Sequence, residues 1–98
     1  MTSDTETYLR TRTALLSEVR TMLVQALKLD VDMEDIDPDA PLFGTGLGLD
    51  SVDAVEVVVQ LETRYGLTLV GTQHVSAVLR TPNIVVDTIL RHRAGARS

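Results

Sequence analysis

The stretch "SVDAVEVVVQLETRY", residues 51–65, decides the fold, and it can be read two ways. Valine is a mediocre helix former, and "VVVQL" alone would serve as a strand. The helical wheel separates the two. At about 100° per residue, Ala54, Val57, Val58, Leu61 and Tyr65 fall in one sector about 100° wide, a core-facing stripe. Val52, Val55 and Val59 gather on the opposite side, with Glu56 and Glu62 among them. Asp50 can cap the free N–H groups of a first turn, and Gly66 suits a helix end. The spacing therefore predicts a helix over 51–65. A surface helix needs one buried face. A second apolar stripe ringed by acids marks a partner surface, unless both faces are buried in a bundle.

Working outward, residues 5–29 predict an amphipathic helix. Its stripe is Leu9, Leu16, Leu23 and Leu27, with Leu15, Val19, Met22 and Ala26 beside it. Residues 30–50 form a long connection broken by Pro38 and Pro41 and made pliable by Gly44, Gly46 and Gly48. Ile36, Leu42, Phe43, Leu47 and Leu49 are expected to pin it to the core. After Gly66, a short helix is expected over residues 72–78. "TPNIVVDTIL" then starts another, with Thr81 as N-cap and Pro82 in the first position. Ile84, Val85, Thr88 and Ile89 are its expected buried stripe, and residues 93–98 an expected disordered tail. The sum is one all-α domain, a bundle of three main helices and one short one, with a long loop between the first two.

The 98 residues suit one domain. No segment approaches the ~20 apolar residues of a membrane span, and the N-terminus lacks a signal-peptide layout. A cytoplasmic protein without membrane attachment is the expectation. With no cysteine, thiolate metal sites and cysteine nucleophiles are excluded. The net charge is −5. Ten acids lie between positions 30 and 62 (Asp30, Asp32, Glu34, Asp35, Asp37, Asp39, Asp50, Asp53, Glu56, Glu62), with no Lys or Arg among them. Such a middle repels phosphate backbones, which argues against nucleic acid. It attracts basic protein surfaces.

Several site patterns start and then fail. Asp30, Asp32 and Glu34 begin like a calcium loop, but its sixth and twelfth positions hold Asp35 and Pro41. "GTGLG" has no strand before it and no lysine after it, so it is not a phosphate loop. His74 and His92 lack ligand spacing, and no metal is expected. Around Ser51 the Gly-x-Ser-x-Gly elbow of a hydrolase is absent. Yet Ser51 follows a glycine-rich run, opens a helix and is flanked by Asp50 and Asp53. Either it is part of a helix start and nothing more, or another enzyme modifies it. The second case needs no base in this chain, and a helix N-terminus favours an attached phosphate.

"PLFGTGLGLDSVDAVEVVVQLETRYGLTL", residues 41–69, resembles the acyl carrier proteins of fatty-acid and polyketide synthesis. A weaker resemblance continues through "TPNIVVDTIL". It implies a four-helix carrier fold with no catalysis of its own. It implies that a phosphopantetheinyl transferase, with Mg²⁺ and coenzyme A, attaches 4′-phosphopantetheine to Ser51. By position, Asp50 and Asp53 match the acids flanking the family's modified serine. Val52, Val55, Glu56, Val59 and Glu62 match its partner-reading face. Ketosynthase, acyltransferase or other acyl-processing enzymes would be the further partners, met by a free-standing monomer. "GTQHVSAVLR" carries no acid where many fatty-acid carriers have several, and Thr63 and Arg64 replace acids late in the second helix. These departures lean toward a specialised pathway. The alternatives are a peptidyl carrier, against which the Leu49-Asp50 pair speaks, and an unmodified helical interaction module.

Overall fold

The computed structural model describes residues 2–43 and 48–96. Helix α1 spans Thr2–Leu27, α2 Ser51–Tyr65, α3 Thr72–Val78 and α4 Pro82–Ala96. A single 3₁₀ turn, Met33–Asp35, interrupts the long connection. The described residues extend 42 × 29 × 20 Å. No described helix is long and apolar enough to cross a membrane.

One core holds the helices together. α1 contributes Leu15, Val19, Met22 and Leu23, and α2 contributes Val57 and Leu61. From α4 come Val85, Val86 and Ile89, while Val78 and Leu79 enter from the end of α3. The connection adds Ile36, Leu42 and Leu49, with Phe43 packed against them. These are the expected pins; Leu47 lies outside the described residues.

Three boundaries differ from the sequence expectation. α1 stops at Leu27 because Lys28 turns into the left-handed region at φ 51, and the Leu29 N–H reaches back to the Val24 carbonyl at 3.1 Å. At its other end the helix starts at Thr2, and its first turns stand clear of the bundle. Leu9, expected in the core stripe, is therefore exposed, as is Tyr8. α4 runs through Ala96, so residues 93–96 are helical rather than a disordered tail; 97 and 98 lie outside the described residues. Within α4 the buried stripe is centred one residue later than expected. Val86 is fully buried and Ile84 only half-buried.

The connection is tied down by polar contacts that sequence spacing does not reveal. Arg12 pairs with Asp87 and donates to the Asn83 Oδ1 at 3.1 Å. Asn83 passes the link on: its Nδ2 donates to Asp39 at 2.7 Å and its N–H to the Pro38 carbonyl at 2.9 Å. Arg20 donates to the Ile36 carbonyl at 3.0 Å. Further along, the Leu42 N–H donates to the Arg80 carbonyl at 3.0 Å, and the Leu42 carbonyl accepts from Leu49 at 3.1 Å. Leu42 and Leu49 thus close the loop just before Ser51.

Where α1 meets the end of α2, the Tyr65 hydroxyl donates to Glu18 at 3.1 Å. Partial burial, then the Glu18 carboxylate, push the Tyr65 phenol up from 10.0 to about 12, against the opposing pull of Arg64 and Arg93. A folded pKa above the unfolded one gives a contribution present below pH ~10 and lost as the phenol ionises toward pH ~12. Tyr65→Phe is therefore expected to flatten the fall in thermal stability between those values. An unchanged alkaline profile would mean that the hydrogen bond carries no linkage.

Candidate functional site

α2 begins where the sequence expectation put it, and its first turn is built by two aspartates. Asp50 is the N-cap, with extended backbone at φ −110 and ψ −174. Its Oδ1 accepts from the Asp53 N–H at 3.0 Å, and the Asp53 Oδ2 accepts from the Asp50 N–H at 3.0 Å. This reciprocal capping box satisfies two backbone donors at once. The sequence reading had Asp50 as a cap but missed the return bond from Asp53. The four-residue spacing of "DSVD" was the available signal. At the far end Gly66 adopts φ 67, where a side chain would be strained, and its N–H donates to the Glu62 carbonyl at 2.9 Å.

Ser51 takes the first helical position and is exposed. Its hydroxyl has no hydrogen-bond partner among the described residues. The capping bonds leave the Ser51 and Val52 N–H groups without an intrahelical partner, at the positive end of the α2 dipole. His74 is not its base. That residue lines a hollow with His92, Thr68 and Arg91, whereas Ser51 sits on a different one.

The hollow at Ser51 is an open groove of about 760 Å³ between α2 and α3. Leu49, Ala54, Val58 and Val75 give it an apolar lining, with Phe43, Gly71 and Ser76 opposite the serine-bearing helix. Phe43, Val75 and Ser76 were not read as site residues from the sequence. They come to the groove only because α3 folds back over the connection.

The two faces of α2 separate as the wheel implies. Val57 and Leu61 are buried, with Ala54, Val58 and Tyr65 packed around them. On the other side Val52 is 77% exposed, Val55 64% and Val59 48%. Glu62 is exposed and Glu56 half-exposed. Two details refine this face. Val55 and Val59 also line the groove, so the exposed valine row reaches its edge. The acids are held in place: Gln60 donates to Glu56 at 3.2 Å while accepting from Arg64 at 2.9 Å, and Thr68 donates to Glu62 at 3.2 Å.

A family model described as a phosphopantetheine attachment site covers residues 17–74, more than half of the chain. That span holds α2, Ser51 and all of the groove lining except Val75 and Ser76. No curated protein matches the sequence.

Proposed function

The chain belongs to the phosphopantetheine-attachment family, and from that premise we propose that Ser51 bears the arm and that the protein is an acyl carrier of a specialised polyketide or fatty-acyl pathway. Covalent 4′-phosphopantetheine is the family's cofactor, so a phosphopantetheinyl transferase and acyl-processing enzymes are implied partners. The observation that carries the assignment to Ser51 is its placement. It is an exposed serine in the first turn of a 15-residue helix, within the matched span and on the rim of an apolar groove.

The residues present fit the group. The Ser51 Oγ attacks the β-phosphate of coenzyme A, an O–P bond forms, and adenosine 3′,5′-bisphosphate leaves. The serine proton goes to a base of the transferase, since no histidine or lysine lies near Ser51 in the sequence. Free N–H groups of Ser51 and Val52 then face the attached phosphate, and the helix dipole favours its charge. Asp50 and Asp53 each spend one carboxylate oxygen on the capping box and retain a second. Those remaining oxygens can meet the transferase's Mg²⁺. Once attached, the arm supplies the thiol on which acyl groups are held as thioesters, a sulfur that this cysteine-free chain lacks. The groove beside Ser51 offers such an acyl chain shelter from water. The catalysis belongs to the partners.

The specialised pathway rests on charge. α3 contains no acid, and Thr63 and Arg64 stand late in α2, so the acidic recognition surface is confined to α2 up to Glu62. The test of the whole reading is intact mass after incubation with a broad-specificity transferase, Mg²⁺ and coenzyme A. One added phosphopantetheinyl group is expected. No gain with several transferases would leave Ser51 as a helix residue and favour the unmodified interaction module.

The exposed face of α2 gives a second expected result. Val55→Asp or Glu56→Lys is expected to weaken binding to the transferase about five- to tenfold, the loss of one interface residue worth somewhat over 1 kcal/mol. Stability is expected to move by less than about 0.5 kcal/mol. For Glu56→Lys the deficit in association rate is expected to shrink as salt rises, because screening acts over about 8 Å at physiological ionic strength. Calorimetric binding and stopped-flow rates check this. Unfolding of either variant would mean that both faces of α2 are buried in the bundle.

A further inference from the structure

Two hollows share Phe43 and Ser76 in their linings. One is the groove at Ser51. The other, about 350 Å³, is also bounded by Pro41, Leu79 and Arg80. An apolar groove thus adjoins a hollow that holds a hydroxyl and a cation.

The cation is the Arg80 guanidinium. Arg12, Arg20, Arg64 and Arg91 each donate to a side chain or carbonyl. Among the described residues the Arg80 side chain makes no hydrogen bond or ion pair. Its backbone is nevertheless fixed, since its carbonyl accepts from Leu42 at 3.0 Å. Asp87, the single acid of residues 63–98, is held by Arg12, and Asp39 of the connection accepts from Asn83.

Building on the assignment of Ser51 as the attachment point, we infer that the groove selects acyl cargo with an apolar middle and an anionic oxygen group at its far end. A carboxylate is the simplest such group. Arg80 receives that end, and the Ser76 hydroxyl is met where the two hollows adjoin. A purely apolar chain would fill the groove but leave Arg80 to water. Because Arg80 is exposed, the pair is worth no more than a surface ion pair, so the discrimination is about two- to fivefold.

The test loads the whole protein, through the transferase, with octanoyl-coenzyme A or with suberoyl-coenzyme A, its ω-carboxyl counterpart. Intact mass first establishes loading. The readouts are the nitrogen–proton resonances of the Arg80 side chain and of the Ser76 and Leu79 amides, and the hydrolysis half-life of the thioester. The suberoyl form is expected to shift the Arg80 Nε–H resonance and to hydrolyse two- to fivefold more slowly than in Arg80→Gln. Arg80→Lys is expected to restore part of that protection, and the octanoyl form to be indifferent to all three residues. Loading without this contrast overturns the inference and leaves Arg80 a solvated surface residue. Failure of both groups to load overturns the Ser51 assignment and the inference with it.

Discussion

Ser51→Ala is expected to stay at its unmodified mass under conditions that fully load the parent protein, while unfolding at nearly the same temperature. The two halves of this result have separate causes. Loading needs an oxygen nucleophile at one place, the exposed first position of α2, and alanine supplies none. Stability does not need that oxygen. The cap is Asp50, reciprocated by Asp53, and the Ser51 hydroxyl holds no partner among the described residues. Alanine is also the better helix former, by up to about 0.5 kcal/mol, so the variant stays within about 0.5 kcal/mol of the parent. Residual loading in Ser51→Ala would move the attachment to another hydroxyl. Complete loss of loading together with loss of helical signal would show instead that the substitution had broken the fold.

Leu61→Ala is expected to have the largest effect on stability. Leu61 is fully buried and belongs to the α2 stripe that joins the core with α1. Removing its isobutyl group forfeits transfer energy and leaves a cavity, together about 2–5 kcal/mol. Small domains have roughly 5–15 kcal/mol in all, so a large share goes. At about 4–8 °C per kcal/mol in a domain of this size, the melting temperature falls by more than about 10 °C. Val55→Ala is the control on the same helix, with an expected cost under about 0.5 kcal/mol. Calorimetry on the pair checks the contrast. Equal losses would mean that the two faces of α2 have been assigned wrongly.

Much of this was legible in the sequence, for a local reason. The limits of α2 follow from Asp50 before it and Gly66 after it, and its two faces follow from the 3.6-residue period. The start of α4 at Pro82 was legible in a Thr-Pro pair, and the short α3 lies where it was expected, though no local signal singled it out. Errors arose where local pattern had no access to neighbours. Leu9 has the right spacing for the core, but no element reaches that end of α1. Ile84 and Val86 are both good core residues, and only the direction from which α1 approaches α4 makes Val86 the buried one.

The sequence by itself determined the helical class, the capped start of α2, the exposed serine there and the acid-ringed valine face. Each depends on residues within a turn or two of one another, where backbone geometry leaves few choices. Tertiary structure decided what stands beside that serine. Phe43, Val75 and Ser76 come from a loop and from another helix, and they form a groove with α2 only after Leu42 bonds to the Arg80 carbonyl and closes against Leu49. Arg80 has the same origin. Among the described residues its side chain makes no hydrogen bond or ion pair, while Asp87 pairs with Arg12 from 75 positions earlier.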